Sequence, residues 1–360
     1  MAQNRPDTPN NWQQFAHEHG IEGRPVVAFG FNPHWRPALA SFVQGVKIRH
    51  VRHPGRIPGG AVVLVWGSRK IAGLPDGSIT IRLEDGFLRS VGLGAEFARP
   101  LSWVADFDHL YFDAEGPSRL ENLLNTHVFN EQEQERAQNL LDKIQEAGIT
   151  KYNTGYSGWQ RPEGKVRVIL VPGQVESDAS IRFGSPEIRT NMALLSQVRE
   201  ANPDAWIIYK PHPDVVAGAR KAGEKEASAP AWCDEVVTEA AMDALLAQVD
   251  EVHTMTSLTG FEALIRNKRV ICYGLPFYAG WGLTTDKLAC ERRQRVLSLT
   301  ELAHATLIQY PFYVSRQTGN YVSPEQILDV LQQWRGSPSS WRAVIKKQTR
   351  KAINVVWGKT

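Results

Sequence analysis

The second half of this chain alternates between short runs of aliphatic and β-branched residues and segments of helical periodicity. The runs are KVRVILVPG from Lys165, AWIIYKPHP from Ala205, EVHTMTS from Glu251 and KRVICYG from Lys268. Between them lie EIRTNMALLSQVREA, TEAAMDALLAQVD and LTGFEALIRN. Continuous apolar strands joined by helix-length segments cannot close as hairpins. They require crossover connections and a parallel sheet covered on both faces. This predicts a Rossmann-like α/β unit, and loops at its strand ends are where ligands of such sheets bind.

The first half carries the same pattern more loosely. RPVVAFGF, AVVLVWG and SITIRLEDGF read as strands, with NPHWRPALASFV as a loop and short helix and HLYFD as a short strand. From Ser118 to Ala147 apolar residues (Leu120, Leu123, Leu124, Leu140, Leu141, Ile144) recur at helical spacing. The polar, Gly- and Pro-bearing TKYNTGYSGWQRPEGK interrupts that period and reads as a linker. The expected fold class is α/β, with two Rossmann-like domains of parallel sheets facing across a cleft. The expected divisions are 1–150, a linker at 151–165, 166–322, and C-terminal helices with a basic tail at 323–360.

A length of 360 residues suits two cores better than one. A net charge of +3 gives no reason to expect a nucleic-acid partner. Cys233, Cys272 and Cys290 share no metal-ligand spacing, and their odd number suits a reducing cytoplasm. The polar start MAQNRPDTPNNWQQ lacks the apolar core of a signal peptide, and no run approaches the roughly 20 apolar residues of a membrane span.

Four segments carry candidate chemistry. In PGQVESDAS a strand empties into Gln174, Glu176, Ser177 and Asp178. In YKPHPD, Lys210 and His212 sit where prolines stop a strand, offering a phosphate a cation and an imidazole; an exposed Pro-rich turn is the plainer alternative. In TMTSLTGFEAL, Thr256, Ser257 and Thr259 precede a helix whose N-terminus favours anions, though ordinary N-capping, with Glu262 in a capping box, is the more common explanation of such a segment. In LEDGFLRS, Glu84 and Asp85 are adjacent carboxylates at a strand end, with Arg89 close behind. Two carboxylates are the usual equipment of glycosyl chemistry. YGLPFYAGWGLT is either an aromatic loop that stacks on a base or sugar, or a loop packed on itself. DFD at Asp106–Asp108 reads as a turn, with no metal.

Taken together, EDGFLRSVGLG, TKYN, PGQVESDASI, KPHPDV, TMTSLTGFEAL and YGLPFYAGWGLT resemble the KpsC-type capsule polysaccharide proteins, over roughly Gly30 to Tyr313. Known members are retaining β-Kdo glycosyltransferases that use CMP-Kdo, carry two such modules and have a GT-B architecture; this sequence carries one module. The resemblance implies that His212 and Ser257, with Thr256, hold the CMP phosphate, and that Glu262 meets the ribose. Gln174 and Lys210 complete the donor-binding candidates. It implies Asp178 as the nucleophile and Glu84, less directly Asp85, as the acid/base. Kdo carries a carboxylate on its reacting carbon, so a cation should lie there: Arg89, Arg182 and Lys210 are the candidates. No metal or other cofactor is expected. The implied acceptor is a lipid-linked oligosaccharide or Kdo-terminated glycan.

The tail WRAVIKKQTRKAINVVWGKT reads as a basic amphipathic helix that either lies on an anionic membrane surface or packs back across the first domain. The expected location is the cytoplasm, with peripheral inner-membrane contact under the first of these readings. Two other functions fit the same residues: a nucleoside-diphosphate-sugar transferase or epimerase of the same fold, and a non-catalytic polysaccharide-binding or export component.

Overall fold

The structure, a computed structural model, describes residues 9–90, 100–151, 158–164 and 167–336. The chain forms two compact units. One holds residues up to Arg89 with Arg99–Leu140 and Thr300–Val330; the other is chiefly Leu141–Leu299.

In the first unit the order is α1 (Trp12–Glu18), β1 (Val26–Phe29), α2 (Arg36–Phe42), β2 (Ile48–Val51), β3 (Val62–Trp66), β4 (Ile79–Asp85), β5 (Ser102–Asp106), α3 (Arg119–Thr126) and α4 (Glu131–Glu146), the last running on past Leu140. β2, β1, β3 and β4 are parallel neighbours; β1, β3 and β4 fall in apolar runs read as strands, and β2 is an addition to them. The sheet is not wholly parallel, however, because β5 pairs antiparallel with β4. Gly86 permits this join. Its N–H donates to the Ser102 carbonyl at 2.9 Å, and a Cβ there would lie 2.6 Å from Ser102 Oγ. One face of the sheet packs Leu64, Ile81, Leu83 and Trp103 against Trp12, Phe15, Leu39 and Phe42.

One expectation fails here. HLYFD is not a strand; His109 makes a single bridge to Ser118. The helical spacing from Ser118 holds, as two helices divided where Asn130 and Glu133 cap α4 reciprocally. Asn130 Oδ1 accepts the Glu133 N–H at 3.0 Å, and Glu133 accepts the Asn130 N–H at 2.9 Å.

The second unit runs β6 (Val168–Pro172), α5 (Ala179–Gly184), α6 (Asn191–Ala201), β7 (Trp206–Lys210), α7 (Pro213–Val216), β8 (Glu235–Val236), α8 (Met242–Gln248), β9 (Glu251–Thr254), α9 (Leu258–Ile265), β10 (Arg269–Cys272) and β11 (Thr285–Asp286). Its sheet is parallel throughout, in the order β11-β10-β9-β6-β7-β8. The described part of the expected linker is docked on this unit. Trp159 Nε1 donates to Glu235 at 3.1 Å, and Arg161 pairs with Asp250 at 2.7 Å.

The chain then runs through α10 (Leu299–Ala303), β12 (Pro311–Tyr313) and α11 (Pro324–Gly336). β12 pairs antiparallel with β5, so it completes the first sheet, and a second domain running to residue 322 is corrected to one ending near Leu299. Asp106, expected only in a turn, fastens this return. It accepts from Tyr310 Oη at 2.7 Å and from the Arg119 N–H at 2.8 Å. Burial pushes its carboxyl up to about 6, against the pull of the Arg119 cation. Asn10 Nδ2 adds bonds to the carbonyls of Ile308, Gln309 and Pro311. Within this unit Glu325 at the start of α11 pairs with Arg136 at 2.9 Å. The basic tail, expected either to lie on a membrane surface or to pack back across the first domain, lies outside the described residues. Among those described, no helix is long and apolar enough to cross a membrane.

Candidate functional site

Strand order decides which loops of the second unit meet. β9, β6 and β7 are adjacent and parallel, so the loops that follow them leave the sheet at one edge. Those loops carry Thr256–Ser257, Gln174–Asp178 and His212 respectively. Gly173 lets two of them touch. Its N–H donates to the Lys210 carbonyl at 2.7 Å, and an added Cβ would fall 2.6 Å from Tyr209 Oη and 3.1 Å from the His212 nitrogen.

Gln174 is buried, and both ends of its side-chain amide are bonded. Its amide nitrogen donates to Thr256 Oγ1 at 2.9 Å and its oxygen accepts the Thr256 N–H at 3.0 Å, so it ties two loops together. Its backbone exchanges bonds with the Asn191 side chain at the start of α6. Gln174 and Asn191 therefore brace the site. Glu176 holds a third segment in place: its carboxylate accepts from the Asn191 N–H and, through the other oxygen, from the Glu224 N–H, both at 2.8 Å.

Asp178 stands at the N-cap of α5 without making a side-chain cap bond. It is half-buried, and desolvation raises its carboxyl while the Arg220 and Lys151 cations draw it back. Arg220 Nη2 lies 3.6 Å from Asp178 Oδ1. His212 caps α7, with its Nδ1 accepting the Asp214 N–H at 3.1 Å. That bond places the proton of the neutral ring on Nε2. Burial, then Lys151 and Arg220, pushes the imidazole down to about 3. At neutral pH the His212 ring is therefore uncharged.

Ser257 is the N-cap of α9. Its Oγ accepts the Thr259 N–H at 3.2 Å, and its carbonyl accepts from Tyr278 Oη at 2.5 Å. Tyr278 reaches this turn only because residue 260 is glycine; a Cβ there would lie 2.1 Å from the phenol oxygen. The loop that supplies Tyr278 is packed on itself, with Tyr273, Phe277, Tyr278 and Trp281 all buried, which favours the second of its two sequence readings. Glu262 lies too far along α9 to form a capping box with Ser257. It is buried instead, with Oε1 accepting the Lys151 N–H at 2.7 Å, and desolvation pushes its carboxyl up to about 7. A raised carboxyl pKa means that the fold favours the protonated form, a preference present at pH 4 and lost as pH rises through 7. Glu262→Gln is therefore expected to raise Tm at pH 8 and leave it nearly unchanged at pH 5, as scanning calorimetry at the two pH values would show.

Of the three cations expected near the reacting carbon, Lys210 and Arg89 are engaged otherwise. Lys210 is buried and donates to the Ala240 carbonyl at 2.8 Å, with burial lowering its ammonium to about 8. Arg182 is exposed, its guanidinium 5.0 Å from the Phe183 ring. Arg89, in the first unit, is buried and paired with Asp85 at 2.5 Å. In that unit Glu84 is half-buried at the end of β4, its Oε1 accepting the Asp85 N–H at 3.0 Å. Sequence reading missed Arg220, which sits in a polar run with the look of a solvated loop. It noted Lys151 only within TKYN and gave it no role. Among the described residues no three His, Cys, Asp or Glu side chains gather as they would around a metal ion.

Residues 62–313 match the family described as capsule polysaccharide biosynthesis protein. The chain is 48% identical over 279 residues to the capsule polysaccharide modification protein LipA of Neisseria meningitidis serogroup B; the match covers 75% of this chain but 39% of that relative. It is similar to two solved structures of Thermosulfurimonas dismutans KpsC. The one described as the beta Kdo 2,7 transferase is 38% identical with a TM-score of 0.72, over 87% of this chain and 100% of that one. The one described as the beta Kdo 2,4 transferase is 34% identical with a TM-score of 0.74, over 87% and 99%. The fold is accordingly GT-B-like, and this chain belongs to the capsule polysaccharide biosynthesis protein family.

Proposed function

We propose that this chain transfers Kdo from CMP-Kdo to a Kdo-containing or lipid-linked glycan acceptor, with retention of configuration through a carboxylate nucleophile. The observation that carries the reading is the common sheet edge of Asp178, His212 and Ser257 on the loops after β6, β7 and β9. The likeness to two Kdo transferase structures supports it. In the first step an Asp178 oxygen bonds to the anomeric carbon, and the bond from that carbon to the phosphate oxygen breaks. The electron pair leaves on cytidylate. The neutral His212, donating through Nε2, and the N-terminal turn of α9 with its Ser257 hydroxyl stabilise that departing charge. In the second step a general base, the role the family resemblance gives to Glu84, takes the proton of the acceptor hydroxyl, and that oxygen displaces Asp178 and restores the original configuration.

The test is turnover of CMP-Kdo by the purified chain with a synthetic Kdo-terminated acceptor, and NMR of the product. CMP release with a β-linked Kdo product is expected. An α-linked product would exclude the double displacement, and no CMP release would exclude the donor. Calorimetric binding of UDP in preference to CMP would instead favour a nucleoside-diphosphate-sugar donor.

A further inference from the structure

The proposed reaction imposes a geometric demand on the surroundings of Asp178. The donor's own carboxylate is bonded to the carbon that Asp178 attacks, about 1.5 Å away. Reacting atoms start about 3–3.5 Å apart. The donor carboxylate and the Asp178 carboxylate must therefore come within a few ångströms of each other, and both carry negative charge. A cation has to stand beside Asp178 itself, facing the same space.

Arg220 stands there. It is 3.6 Å from Asp178 Oδ1, a separation at which attraction persists without a formed hydrogen bond, and its side chain is half exposed. Its position is built by the fold. The Arg220 N–H donates to the Asp214 carbonyl at 3.0 Å, just after the turn that His212 caps. A few residues on, the Glu224 N–H is held by Glu176, from the same loop as Asp178. Gly223 sits so close to Glu176 that a Cβ would lie 2.5 Å from its Oε1. Both flanks of Arg220 are thus fastened to loops that carry candidate donor contacts. Its planar fork of five N–H groups matches a carboxylate and can serve two carboxylates at once, which an ammonium does less well.

We propose that Arg220 is the specificity residue of the donor site, binding the carboxylate borne by the reacting carbon of the sugar while it faces Asp178. The inference rests on the donor reading above. Arg220 stays protonated throughout, and no bond to it forms or breaks. Sugars without that carboxylate leave the guanidinium on Asp178, damping the nucleophile. Sugar acids draw it away and expose an attacking oxygen. Selection of the donor and release of the nucleophile are then one event.

The test compares wild type, Arg220→Ala and Arg220→Lys in steady-state transfer from CMP-Kdo, with calorimetric titration of CMP and CMP-Kdo on each. Arg220→Ala is expected to lose roughly a hundredfold or more in kcat/KM, as when a hydrogen-bonded charge partner is removed. Its affinity for CMP should stay within twofold of wild type, and Arg220→Lys should recover part of the loss. Wild-type kcat/KM in Arg220→Ala would overturn the assignment and leave the donor reading intact. A parallel fall in CMP affinity would overturn it in favour of a phosphate or scaffold role. If the wild-type chain neither turns over CMP-Kdo nor binds it differently from CMP, both readings fall together.

Discussion

Asp178→Asn is expected to abolish transfer, by at least roughly ten-thousand-fold, while CMP binds as before. An amide keeps the size of the side chain but cannot form the covalent link to the anomeric carbon. Asp178 makes no side-chain cap bond to α5, and its ion pair with Arg220 spans 3.6 Å between groups that are both about half exposed. Such a pair contributes little to stability. Circular dichroism and Tm should therefore match wild type, which separates a chemical defect from a folding one. Asp178→Ala should behave alike. Measurable wild-type turnover in either variant would remove the nucleophile from the mechanism.

Glu84→Gln is the second large effect, a loss of roughly a hundred- to ten-thousand-fold in kcat, the usual range for a general acid–base group. The glutamine oxygen can still accept the Asp85 N–H that Glu84 Oε1 now takes, so the turn after β4 should survive. Asp85 provides the contrast. Its carboxylate holds the buried Arg89 guanidinium at 2.5 Å, so Asp85→Asn should lower stability by about 1–3 kcal/mol. A drop in Tm for Asp85→Asn with an unchanged Tm for Glu84→Gln would divide structure from chemistry between these adjacent acids. A loss below about tenfold in Glu84→Gln would remove it from proton transfer.

Strands with continuous apolar runs were legible in the sequence because burial on both faces leaves a compositional mark: β1, β3, β4, β6, β7, β9 and β10 all fall within the runs read as strands. β2, with Arg49 and His50, and β5, with Ser102 and Asp106, lack that mark and were not anticipated. β12 is three residues starting at a proline, and its place depends on Tyr310, Asp106 and Arg119 meeting across the fold. The candidate site divides the same way. His212 and Ser257 announce themselves, because prolines stop a strand beside one and hydroxyls precede a helix at the other. The roles of Gln174 as a brace between loops and of Arg220 beside Asp178 come from long-range closure, which local pattern does not encode.

The return of β12 to the first sheet has a consequence for synthesis. A nascent chain leaving the ribosome completes the second sheet before it makes Pro311–Tyr313, the strand that covers β5. Until then the outer edge of β5 displays unpaired amides and carbonyls, an invitation to pair with other chains. Any fragment that stops short of Pro311 keeps that edge open for good, so the last of the described strands also guards the first half against aggregation.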